Sequence, residues 1–138
     1  MLDVYLTFPK YGIFEMGQRI SPKEFRKQQS PVIPPIQPLD DEKGLVVFHT
    51  QITHNLVPMA EAAGIFYEIW RPQPYGISMA QQLIIPLWSG LNRLRASSNL
   101  FKPYSHPRFG DYNEMINFVE EYLDACMVWQ YAHVEAYA

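Results

Sequence analysis

A chain of 138 residues can bury one ordinary hydrophobic core and is read as one domain spanning residues 1–138. With 48% hydrophobic, 14% aromatic and 18% charged residues, the composition excludes a disordered polymer. A net charge of −3 without a basic run argues against nucleic acid as the main partner.

The single cysteine, Cys126, excludes an internal disulfide and a multi-cysteine zinc site. The opening residues Met1-Leu2-Asp3-Val4-Tyr5 lack the basic start and apolar stretch of a secretory signal. No segment approaches the roughly 18 apolar residues of a membrane span. A cytoplasmic protein without membrane contact is expected.

Leu2 to Phe8 alternates large apolar residues with others, at the period of a half-buried strand. Residues 9–44 then hold six of the twelve prolines. A run such as Pro31-Val32-Ile33-Pro34-Pro35-Ile36-Gln37-Pro38 suits neither a central strand nor a helix. The expectation is a Pro-rich arm or loop, with a short helix starting at Ser21-Pro22. Its apolar residues favour packing on its own domain or on a neighbouring subunit.

Leu45 to Ile52 is the strongest strand, rich in β-branched and aromatic residues. A helix is predicted to follow, with Asn55 as cap, Pro58 in its first turn, and a stop at Pro72 and Pro74. A second helix starts at the capping box Ser78 to Gln81 and carries Ile84, Leu87, Leu91 and Leu94, with Pro86 inside it. A third starts at Asp111, paired with Glu114, and presents Met115, Ile116, Val119, Leu123 and Cys126. His133 to Tyr137 alternates as a closing strand whose edge could support a homo-oligomer. The fold class is α+β: about three strands packed against three helices, with the arm inserted after the first strand.

Three segments carry residue types suited to ligand binding. Thr53, His54 and Asn55 stand where the strongest strand gives way to a helix, and amides at such a junction bind anions. Trp70 and Arg71 close that helix; the indole suits stacking and the guanidinium a phosphate. Arg108, Phe109 and Tyr112 lie in an aromatic, basic loop with Tyr104 and His106. Each segment also has a plain structural reading, as a cap, a helix end or a rigid connector.

Catalytic signatures such as Gly-x-Ser-x-Gly, a phosphate loop or His-Glu-x-x-His are missing from the sequence. No catalytic residue, metal site or cofactor is assigned. Cys126 on an apolar helix face reads as a structural thiol.

The segments Ile52-Thr53-His54-Asn55-Leu56, Met59-Ala60-Glu61-Ala62-Ala63-Gly64-Ile65 and Trp70-Arg71-Pro72 resemble a family of small bacterial and phage proteins. Matches continue through Gly76-Ile77, Leu83-Ile84-Ile85-Pro86-Leu87, Gly110, Tyr112 and Tyr122-Leu123. The resemblance implies an architecture and carries no assigned activity. Where the family pattern reads Asn-Gly-Trp-Gly-x-Tyr, this chain has Pro107-Arg108-Phe109-Gly110-Asp111-Tyr112, which implies a different ligand preference.

Together these features predict non-catalytic capture of a small anionic, nucleotide-like molecule, with a phage anti-defence role and host-cytoplasmic location implied by the resemblance. Two alternatives stay open. One is a hydrolase or transferase with His54 as general base; the other is a protein-binding module acting through the Pro-rich arm.

Overall fold

In this computed structural model residues 1–8 and 44–138 are described, together with the backbone of three short strands at 13–15, 18–20 and 37–38. Strand β1 (Leu2–Phe8) forms the centre of an antiparallel sheet. On one side it pairs with β5 (Leu45–Ile52), and on the other with β6 (His133–Tyr137). All three predicted strands are present. The two-residue strand β4 (Gln37–Pro38) pairs on the outer side of β5, at an edge, where a proline's missing donor is tolerated. Strands β2 (Ile13–Glu15) and β3 (Gln18–Ile20) form a separate hairpin that the proline content of the arm concealed. The predicted short helix at Ser21 and the packing of the arm lie outside the described residues.

Alternation in β1 sets the faces of the sheet. Leu2, Val4, Leu6 and Phe8 are buried, while Asp3 and Tyr5 occupy the opposite side with His49 and Gln51 of β5. The register shifts between Leu6 and Thr7, which pair with Phe48 and Val46 and leave Val47 as the extra residue. Such a bulge strengthens local twist.

The helical half differs from the simple three-helix expectation. A 3₁₀ turn, His54–Leu56, leads into α1 (Val57–Ala62) and then, after a break, α2 (Phe66–Trp70). Gly64 makes the break at φ +76°, in the left-handed region that favours glycine. The helices α3 (Gln81–Ala96), α4 (Ser98–Phe101) and α5 (Tyr112–Val128) follow, with a second 3₁₀ turn at Lys102–Tyr104.

The core lies between the sheet and the long helices. Leu83, Leu87, Leu91 and Leu94 of α3 meet Met115, Phe118, Val119, Tyr122 and Cys126 of α5. Trp129 is fully buried and packs edge-on against Phe8, ring centroids 5.8 Å apart. An ion pair between Arg95 and Glu120 joins the two helices at the surface. Gly90 lets α3 approach the chain before α2, because a Cβ there would strike Ile65.

The caps show what the sequence placed well and what it displaced. Asp111 accepts a 2.8 Å bond from the Glu114 amide, as its spacing predicts. The start of α3 is capped by Gln82 instead of Gln81: its Oε1 accepts from the amides of Ser78 (2.8 Å) and Met79 (2.9 Å). Segment 78–80 also occupies part of the outer edge of β6, through Val134 N to Ser78 O and Ala80 N to Ala132 O. No helix among the described residues is long and apolar enough to cross a membrane.

Candidate functional site

The sequence pattern puts Thr53, His54 and Asn55 at one end of a helix and Trp70 and Arg71 at the other. A continuous helix would separate residues 54 and 70 by about 24 Å. The break at Gly64 folds α2 back instead, and Trp70 Nε1 donates to His54 Nδ1 at 3.0 Å. The Trp70 ring stacks on Phe66 at 5.8 Å and 12°, which fixes the indole in that position.

The third segment converges on the same place. Asn55 Nδ2 donates to the carbonyl of Phe109 at 3.2 Å. Gly110, at φ +93°, presses so closely on the junction that a Cβ would come 2.7 Å from Thr53 Cγ2 and 3.0 Å from Leu56 Cγ. Within the loop, His106 Nδ1 accepts from the amides of Arg108 (3.2 Å) and Phe109 (3.4 Å). The Phe109 ring is left 66% exposed. Neighbouring residues 54 and 55 thus hold two chain segments that are far apart in sequence.

Two expectations about this junction are corrected. The cap is Thr53, whose Oγ1 accepts from the Asn55 amide at 3.3 Å, and Asn55 caps nothing. The backbone amides of Leu56 and Val57 are also committed. Leu56 N bonds Thr53 O, Val57 N bonds His54 O, and Pro58 has no donor. With α1 only six residues long, an anion at this point would be held by side chains and not by helix amides.

Tyr112 makes its hydrogen bonds away from the Thr53–Asn55 junction. Its hydroxyl donates to the Leu94 carbonyl at 2.7 Å, near the end of α3, and its amide donates to Ser105 Oγ. It is a strut between helices. Arg71 and Arg108 are exposed, and among the described residues neither forms an ion pair.

The outer face of the sheet carries a group with no local signal in the sequence. His49 Nε2 lies 3.0 Å from Asp3 Oδ1, Gln51 Nε2 donates to the same oxygen, and Tyr5 stacks on the imidazole at 4.4 Å and 11°. These bonds, His49 foremost and then Gln51, hold the Asp3 carboxyl below the usual range. The residues are 46 and 48 apart. Only the period-2 alternation of both strands could have put them on one face. In the core, burial pushes the Cys126 thiol well up, so it is an inert structural residue.

Among the described residues no group of three or more His, Cys, Asp or Glu side chains is arranged to hold a metal ion. No family model, curated protein or solved structure matches the chain.

Proposed function

We propose that the protein binds and sequesters a small anionic, nucleotide-like molecule without turning it over. The observation that carries this reading is the convergence of Trp70 and Phe109 on His54 and Asn55. Arg71 and Arg108 are the exposed chain neighbours of Trp70 and Phe109. A guanidinium without an internal partner is suited to bidentate phosphate binding, and the exposed Phe109 ring offers a base a stacking surface.

The His54 bond also favours capture over catalysis. An imidazole accepting at Nδ1 carries its proton on Nε2 when neutral. Nε2 then offers an anion a donor and has no lone pair to act as a general base. In a phage setting, capture of this kind would remove a nucleotide signal used in host defence. The protein would act as a homo-oligomer in the host cytoplasm.

The test is calorimetric titration with adenosine and guanosine mono- and diphosphates, alongside native mass spectrometry of protein purified from its host. Capture requires saturable binding, recovery of the intact nucleotide after denaturation, and affinity about tenfold weaker in Arg71→Ala or Arg108→Ala. An empty protein with no response to the panel, or one that converts the nucleotide, sinks the reading.

One observation favours an enzyme as the second reading, with the base moved to His49. With Asp3 bonded at Nε2, the neutral ring offers Nδ1 as an acceptor, the arrangement a general base needs. Turnover of a phosphate or acyl ester lost in His49→Ala and kept in His54→Ala would establish it.

A further inference from the structure

Helix α2 presents Phe66, Tyr67 and Glu68 in succession. The turn after it, closed by Tyr75 N to Pro72 O and Ile77 N to Pro72 O, brings Tyr75 back over Tyr67. Their rings stack at 5.4 Å and 10°, and Phe66 stands nearly perpendicular to Tyr67, at 77°. With Glu61, Gly64 and Glu68 these rings line a cavity of about 350 Å³. That volume is within the small-molecule range.

Glu68 gives this wall one of its two carboxylates. It is only 9% exposed, and among the described residues it makes no hydrogen bond or ion pair. Its carboxylate oxygens are not sealed from solvent, so a cation entering the cavity can reach them. Arg93 lies against Gly64 but gives its Nε proton to the Ala63 carbonyl at 2.9 Å and forms no ion pair with Glu61 or Glu68.

We propose that this cavity binds an organic ammonium ion. Ring faces carry negative quadrupole density and attract diffuse cations, while Glu61 and Glu68 supply the counter-charge. A hard divalent cation is a poor fit, because it needs six or more oxygen ligands or a strict octahedron, and three of the six residues of this wall are aromatic. An anion is repelled by the two carboxylates, so this site is separate from the Thr53–Asn55 surface and does not depend on the anion reading.

Choline is the probe, and 3,3-dimethylbutan-1-ol is its uncharged isostere. In calorimetric or tyrosine-fluorescence titrations of the full chain, choline should bind saturably and the alcohol should not. Affinity should fall about tenfold or more in Glu68→Gln and several-fold in Tyr75→Leu. Tyr75 is exposed and outside the core, so its variant tests the site even where Glu68→Gln is unfolded by circular dichroism. Equal binding of the alcohol, choline affinity unchanged in a folded variant, or no saturable response overturns the proposal.

Discussion

Trp70 Nε1 donates to His54 Nδ1 across 3.0 Å, closing a loop of 16 residues that holds α1, the Gly64 turn and α2. The bond joins two residues that a straight helix would hold on opposite ends, and it selects one tautomer of the imidazole. Trp70→Phe keeps the ring on Phe66 and removes the donor. Stability should fall by about 1 kcal/mol in urea titrations, and long-range ¹H–¹⁵N spectra should show His54 leaving the pure Nε2–H form.

Gly110 is required twice over, by its φ of +93° and by its approach to Thr53 and Leu56. Gly110→Ala should cost about 2 kcal/mol or more in chemical denaturation. Gly76 has a similar φ of +88° with open space around it, so Gly76→Ala should be the milder variant. Equal losses at the two positions would show that packing on Thr53 contributes nothing.

Asp3 gives the pH dependence. Its carboxyl is held below its ordinary value of 3.8 by His49 and Gln51. A depressed folded value means that the contact stabilises above the unfolded value and is lost as pH falls through the folded one. Wild type should therefore exceed Asp3→Asn in stability at about pH 6, with the gap closing below pH 3.8. Melting curves over that range measure it.

Cys126 should react slowly with a thiol-specific chromogenic disulfide in the native protein and rapidly in denaturant, since the thiol is buried and pushed up. A native rate close to the denatured one would place it at the surface.

The strands and long helices were legible because their signals are local. The alternation of Leu2, Val4, Leu6 and Phe8, and the Asp111–Glu114 cap, both appear where expected. The α1–α2 break has Gly64 as its only local sign. An isolated glycine is tolerated in a helix, and only the Arg93 bond to Ala63 O and the packing of Ile65 on Gly90 show that the chain turns there.

Candidate site residues divide in the same way. Residue type alone marked Thr53, His54, Asn55, Trp70, Arg71, Arg108 and Phe109 as suited to a ligand. Tyr112 belonged to the same loop by sequence, yet its hydroxyl serves Leu94. The pairing of His49 with Asp3, and the meeting of Glu68 with Tyr67 and Tyr75 around one cavity, had no local signal.

The sequence by itself determined an α+β chain with an apolar core face on each main strand and helix, because periodicity and caps act over a few residues. Tertiary structure alone decided that His54 meets Trp70, that Asn55 meets the Phe109 carbonyl, and that the Leu56 and Val57 amides are already spent. Those outcomes depend on where a glycine turn sends the next helix, and only the packing of the whole core sets that direction.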